Sequence, residues 1–215
     1  MQGPGALPFL SPFPHAIHHR LQLLALAALL TAAAGAPALA QDKPVKEANK
    51  LNKKRIEAGA VNPSLTRAQL EYDAEFSTAA TSDNLLASAL SALAAQKATA
   101  LEIKDFGKKT DADYTELQSQ LQAVADRTGL VLPRMMSHDN RKTYDDVDDR
   151  KYLGFDKKYL RDLGELHEHA IKRCVEAAEK VATPELRAYA AETLPKLREH
   201  AAHIAELFRR ANDRK

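Results

Sequence analysis

Two stretches of this chain repeat apolar residues in steps of three and four, and each places a histidine where a hydrophobe belongs. One reads Leu160, Leu163, His167, Ala170, Cys174, Ala177, Val181. The other reads Leu186, Ala190, Thr193, Leu197, His200, Ile204, Leu207. Such spacing marks one face of an α-helix. Both stripes need another helix to cover them, so His167 and His200 are expected in a dry interior, turned toward each other. A buried imidazole must find partners for both nitrogens or it costs ~1–3 kcal/mol.

The remaining segments supply the covering helices. A helix is expected from about Thr66 to Ala80, a break at Thr81-Ser82-Asp83, and a helical continuation through Lys97 carrying Leu86, Leu90 and Leu93. The next runs from near Leu101 to Gly129, a good helix stop, with Pro133 beyond it. Its inward face reads Ile103, Phe106, Thr110, Tyr114, Leu117, Leu121, Val124. Residues 134–154 are polar and read as a long connection with room for one short helix; their acidic run, Asp145 to Asp149, lacks the glycine and terminal glutamate of a calcium-binding loop. Asp156 is expected as the N-cap of the third long helix, stapled by Phe155 against Leu160. Thr183-Pro184 opens the fourth, and Pro195 inside it should kink it one turn before His200. The fold class expected is therefore all-α: a four-helix bundle over residues 66–212, with a long crossover loop between the second and third long helices.

The segments before that domain read differently. Residues 1–40 contain one charge, Arg20, then an apolar run from Leu21 to Ala34 and the triplet Ala38-Leu39-Ala40. The run is short for a membrane span and the triplet is an A-x-A cleavage signal, so the segment is expected to be a secretory signal peptide. That places the mature protein in the periplasm or outside the cell, with no integral membrane segment after cleavage. Residues 41–65 read as a basic, solvated arm in which Lys46, Lys50, Lys53 and Lys54 lie opposite Leu51 and Ile56. The formal net charge of +2 gives no basis for nucleic-acid binding. With Cys174 the only cysteine, an intramolecular disulfide is impossible, and its place on an apolar stripe marks a small core residue.

The second half carries a more specific signal. Phe155-Asp156-Lys157-Lys158-Tyr159, His167, and Leu194-Pro195-Lys196-Leu197-Arg198-Glu199-His200 together resemble a ferritin-like family of exported bacterial proteins catalogued as a domain of unknown function, DUF4142. Lys104-Asp105-Phe106-Gly107 and Gly129-Leu130-Val131-Leu132-Pro133 extend the likeness, which spans roughly residues 73–211. The resemblance implies a ferritin-like fold, export and no settled activity. It also implies an Asp-His pair on the second helix and a glutamate on the first; here those positions read Asp113-Tyr114 and Ala87.

The chemistry follows from these side chains. A bundle di-iron centre takes a glutamate from two helices and Glu-x-x-His from the other two. This chain has no Glu-x-x-His. Its candidate metal ligands are His167, His200, Tyr114 and Asp113, a set suited to a transition metal ion such as zinc or copper. The competing reading is a core polar cluster that fixes helix register. No nucleophile elbow or phosphate loop is present. The sequence thus favours a non-enzymatic structural, stress-related or interaction role, with a protein partner in the cell envelope; metal binding through the core histidines is the alternative. His169 and His203 are expected on the surface.

Overall fold

The computed structural model describes residues 43–214; the leader-like segment 1–40 lies outside the described residues. The protein is all-α. Its described residues form six helices and no strand: α1 Lys43–Glu57, α2 Arg67–Lys97, α3 Leu101–Thr128, α4 His138–Asp148, α5 Tyr152–Lys180 and α6 Pro184–Asp213. None of these helices is long and apolar enough to cross a membrane.

Helix ends follow local chemistry. Thr66 and Gln69 form a capping box at the start of α2, Gln69 Oε1 accepting from the Thr66 amide at 2.9 Å. At the end of α3, Gly129 takes φ 77°, a left-handed turn that glycine adopts without penalty. Pro184 sits at the first position of α6, where its missing N–H removes no helical bond. Helix α6 then remains helical through Pro195.

The long helices pack as two hairpins, α2 with α3 and α5 with α6; α2 also lies against α5, and α3 against α6. The inward stripes read from the sequence form the shared core: Ile103, Phe106, Leu117 and Leu121 from α3, Leu160 and Leu163 from α5, Leu197, Ile204 and Leu207 from α6. Gly107 sets the closeness of the first hairpin. A Cβ there would lie 2.7 Å from the Ser91 carbonyl oxygen and 2.9 Å from the Ala95 nitrogen, so α2 and α3 touch backbone to backbone.

Two buried aspartates tie the hairpins to each other. Asp73, near the start of α2, accepts from the Ala182 and Thr183 amides at 2.9 Å each, in the turn between α5 and α6. Asp156, near the start of α5, accepts from the Thr99 amide at 2.8 Å and the Thr99 hydroxyl at 2.5 Å, in the turn between α2 and α3. Each hairpin's first helix thus satisfies the orphan amides of the other hairpin's turn. The start of α2 therefore meets the end of α5, and the reverse, which makes the two helices antiparallel. Both carboxylates are fully buried. Arg214 closes over the second, 3.0 Å from Asp156 Oδ2.

Three expectations are corrected. Asp156 is not the N-cap of α5: that helix begins three residues before Phe155, and the carboxylate caps a different turn. Helix α2 does not break at Thr81-Ser82-Asp83. These polar residues lie in a helix covered on several sides by α1, α3, α4 and α5, and Ser82 and Asp83 bond across those contacts, whereas the buried Thr81 hydroxyl has no partner. Ser82 Oγ accepts from the Ser137 amide and from Asn140 Nδ2, both at 2.9 Å, and Asp83 pairs with Arg173. The basic segment is not a solvated arm; it forms α1, which buries Ala48, Asn52 and Ile56. Of the two apolar residues read opposite the lysines, Ile56 is buried and Leu51 is exposed, and Asn52 turns inward, holding Val131 through its amide at 2.7 Å and carbonyl at 2.9 Å. The long connection holds α4, as its length allowed, and the acidic run ends that helix, with Val147 buried and Asp148 paired to Lys97.

The helix contact at Gly107 yields a sign reversal. Glycine inside a helix ordinarily costs ~1 kcal/mol relative to alanine. Gly154, in the first turn of α5 with open space at its Cβ, should follow that rule, and Gly154→Ala should stabilise by up to ~1 kcal/mol. Gly107→Ala should instead destabilise by ~1–3 kcal/mol, because the hairpin must open. Urea unfolding of the two variants beside the parent checks the opposite signs.

Candidate functional site

The four residues singled out in the sequence come together in the core. Asp113 and Tyr114 lie on α3, His167 on α5 and His200 on α6. The two imidazole rings are 5.6 Å apart between centroids at 65°. His167 is 0% exposed and His200 1%. Helix periodicity alone carries them inward, since each sits on a stripe whose neighbours one turn away are buried Leu163 and Ile204.

Hydrogen bonding fixes the state of His167. Its Nδ1 lies 2.7 Å from the Leu163 carbonyl oxygen, which can only accept. Nδ1 therefore carries the proton, and Nε2 accepts from the Tyr114 hydroxyl at 3.0 Å. Both nitrogens are satisfied by a neutral ring. Burial pushes the His167 pKa down to about 4, outweighing the bond to Leu163. Burial also raises Tyr114 well above the usual phenol range, which keeps its proton on oxygen as a donor.

His200 is arranged differently. Its Nε2 lies 3.0 Å from Asp113 Oδ2, and the carboxylate also takes Lys196 at 3.2 Å and Lys109 at 3.3 Å. Burial alone would raise the Asp113 pKa, but the bonds from His200, Lys196 and Lys109 hold it below its ordinary value. Asp113 is thus ionised, and Nε2 of His200 donates to it. Burial lowers the His200 pKa despite that carboxylate. The ring is then neutral, and its Nδ1 is a buried lone pair with no hydrogen-bond partner. Phe106 meets the ring edge-to-face at 6.1 Å, and Tyr114 lies at 5.9 Å.

This arrangement orients and holds; it presents little for chemistry. Of the four imidazole nitrogens, three are engaged within the protein and one is open. Among the described residues, no group of three or more His, Cys, Asp or Glu side chains is placed to hold a metal ion. Glu199, beside His200 in sequence, turns outward to Lys109 at 3.0 Å. Cys174 is buried, and that burial pushes its thiol up to about 11, far from a reactive thiolate. His169 and His203 are exposed, as their helix positions imply. The exposed large apolar side chains, Leu51, Leu101, Met135, Tyr152 and Val175, do not line up on one helix. Tyr152 and Val175 share α5 but lie near its opposite ends. This distribution counts against an apolar docking strip along a helix face.

Sequence reasoning missed the structural carboxylates. Asp73 entered only as the edge of a resemblance and Asp156 as a cap. A signal was present: Tyr72-Asp73-x-x-Phe76 recurs as Phe155-Asp156-x-x-Tyr159, an aromatic–Asp–aromatic pattern at equivalent places in the two hairpins. Asn84 was missed as well. Its amide reaches the Tyr189 hydroxyl at 3.0 Å and Gln118 at 3.2 Å, joining α2 to α6 and α3.

The buried neutral histidines give a pH dependence with a definite sign. A lowered folded-state pKa means that the unfolded chain takes up the proton first as pH falls. His167 adds nothing to the pH slope above its unfolded value of about 6.5, and its protonation erodes stability between about 6.5 and about 4. The loss should total ~3 kcal/mol for this one residue, with His200 acting in the same direction. His167→Gln removes the titrating group, so the slope of unfolding free energy against pH in that window should flatten by about one proton; denaturant melts at pH 7, 5.5 and 4.5 check it.

With the geometry in hand, the chain was compared with known proteins. No curated protein and no solved structure matches it. A family model described as Domain of unknown function (DUF4142) matches residues 59–207, a span that holds α2 to α5, most of α6, the two buried aspartates and both core histidines. The chain belongs to the DUF4142 family.

Proposed function

We propose that this chain is an exported, periplasmic protein with a ferritin-like four-helix bundle, whose role in the cell envelope is structural or stress-related rather than enzymatic. The observation that carries the reading is the closed bonding of His167: one nitrogen donates to Leu163, the other accepts from Tyr114, and the ring faces no open space. A catalytic imidazole needs a free nitrogen within reach of a reacting group. The pairing of two antiparallel hairpins, with the long connection between α3 and α5, supports the ferritin-like layout. The apolar leader ending in Ala38-Leu39-Ala40 supports export. The polar pairs between α3 and both α5 and α6 then serve as register pins, since a helix slipped by one turn would leave Nε2 of the buried His167 and His200 without partners.

One observation favours a second reading, a bound transition metal ion. The His200 Nδ1 lone pair is buried and unpartnered, which is what a ligand atom awaiting a metal looks like. A metal there would have to recruit Tyr114 or His167 by breaking their mutual bond.

Elemental analysis of untagged protein, with His167→Phe and His200→Phe alongside, separates the two. The register reading expects trace metal in all three proteins and a loss of ~1–3 kcal/mol in His167→Phe, which leaves the buried Tyr114 hydroxyl unpaired, with a smaller loss in His200→Phe, where Asp113 keeps Lys196 and Lys109. About one equivalent of zinc, copper or iron in the parent, lost in His200→Phe, would replace it with the metal reading. Export is checked by cell fractionation, the expected product being a periplasmic chain that starts at Gln41.

A further inference from the structure

The segment that joins α3 to α4 makes a preformed groove that neither the core histidines nor the capping aspartates explain. It is pinned at both ends. Asn52 holds Val131 by both backbone groups, and Ser82 takes the Ser137 amide. Between these pins the chain lays Arg134, Met135 and Met136 over the outer face of α2, beside Leu85 and Ala89, with Arg141 of α4 at the other side. Together they line a groove of about 310 Å³. Met136 packs against the core, whereas Met135 is 49% exposed.

Charge is distributed unevenly around this groove. Arg134 and Arg141 are the only charged residues lining it, and no carboxylate is among them. Arg134 is exposed and has no acidic partner among the described residues. Arg141 spends its Nε on Asp145 at 2.9 Å and stacks over Tyr144 at 5.1 Å. Its terminal nitrogens remain free to donate. A trough lined by apolar side chains and two arginines matches a ligand with an alkyl body and a single anionic head, because methionine side chains adapt to a flexible chain and arginine holds a carboxylate by two parallel bonds. The groove is too short for a peptide helix: its wall on α2 is one turn, Leu85 to Ala89.

We propose that this groove binds a single-chain anionic amphiphile, an alkyl carboxylate, with the chain against Leu85, Ala89, Met135 and Met136 and the head between Arg134 and Arg141. Binding would be strengthened by preorganisation, since the loop's backbone bonds are already made. The site is independent of the role assigned to the histidine core.

The methionines provide a direct readout. The chain has three, Met1, Met135 and Met136, two of them in the groove. The full chain labelled with methyl-¹³C methionine is titrated with decanoate, kept below its micelle concentration, and separately with decanol. The proposal expects saturable shifts of the Met135 and Met136 methyls with decanoate, and at least ten-fold weaker binding of decanol. Arg134→Gln with Arg141→Gln should weaken decanoate at least ten-fold while the circular-dichroism melt stays that of the parent. Arg134→Gln alone, at an exposed side chain, should show a smaller loss of the same sign. Non-saturating shifts, equal binding of decanol, or unchanged decanoate affinity in both variants would each overturn it; equal binding of decanol would reassign the groove to apolar contact without charge recognition.

Discussion

The fold depends on one constraint: the polar groups that couple its helices across the core are bonded in pairs that hold in one register, even though some buried atoms, His200 Nδ1 among them, have no partner. His167 cannot be buried unless Tyr114 of another helix reaches its Nε2, and His200 cannot be buried unless Asp113, the residue before that tyrosine, meets its Nε2. Consecutive residues of α3 thus bond two different helices. Apolar side chains tolerate sliding, because one leucine contact resembles the next. These pairs do not, because an unmatched buried donor or acceptor costs ~1–3 kcal/mol. The hydrophobic stripes bring the helices together, and the polar pairs decide how far along each other they lie.

The same logic operates at the ends of the hairpins. The turns after α2 and α5 expose backbone amides that no helix bond can satisfy. Asp156 and Asp73 supply acceptors from across the structure, and the exchange is reciprocal. Capping by a neighbouring helix rather than by the turn's own side chain has a consequence: each turn is well formed only when the other hairpin is docked. Thr183 shows this: it occupies the cap position of α6 without a side-chain cap bond, while its own amide and that of Ala182 are held by Asp73. Docking and turn formation are therefore coupled, as expected of a chain that folds as a unit.

Much of this was legible in the sequence. The stripes on α3 and α6 named most of the buried residues, whereas the stripe on α5 missed Phe155, Asp156, Tyr159, Asp162 and Leu166, because α5 is packed against α2, α4 and α6. The stripes also carried Tyr114, His167 and His200 inward, where the structure places them close together, while Asp113 lies beside the α3 stripe and reaches His200 from there. Helix α2 resisted the same reading. It is covered on several sides, so its buried set includes Ser77, Thr81, Ser82, Asn84 and Ser91, and no single apolar stripe exists to be read. A polar triplet in such a helix looks like a break. The basic segment failed for a related reason: besides burying Ala48 and Ile56, α1 is held by polar bonds from Asn49, Asn52 and Arg55, which have no periodic signature. The capping aspartates were hidden because their partners are backbone amides more than fifty residues away in sequence.

The central claim is that His167 is a neutral, doubly bonded pin in the core. Nitrogen-15 NMR of the imidazole rings, assigned with the His167→Gln variant, tests it most directly. The account expects His167 as the Nδ1–H tautomer with no titration until the pH approaches about 4, and His200 as the Nε2–H tautomer. A His167 ring that titrates near its ordinary value of about 6.5, or that carries its proton on Nε2, would contradict the account.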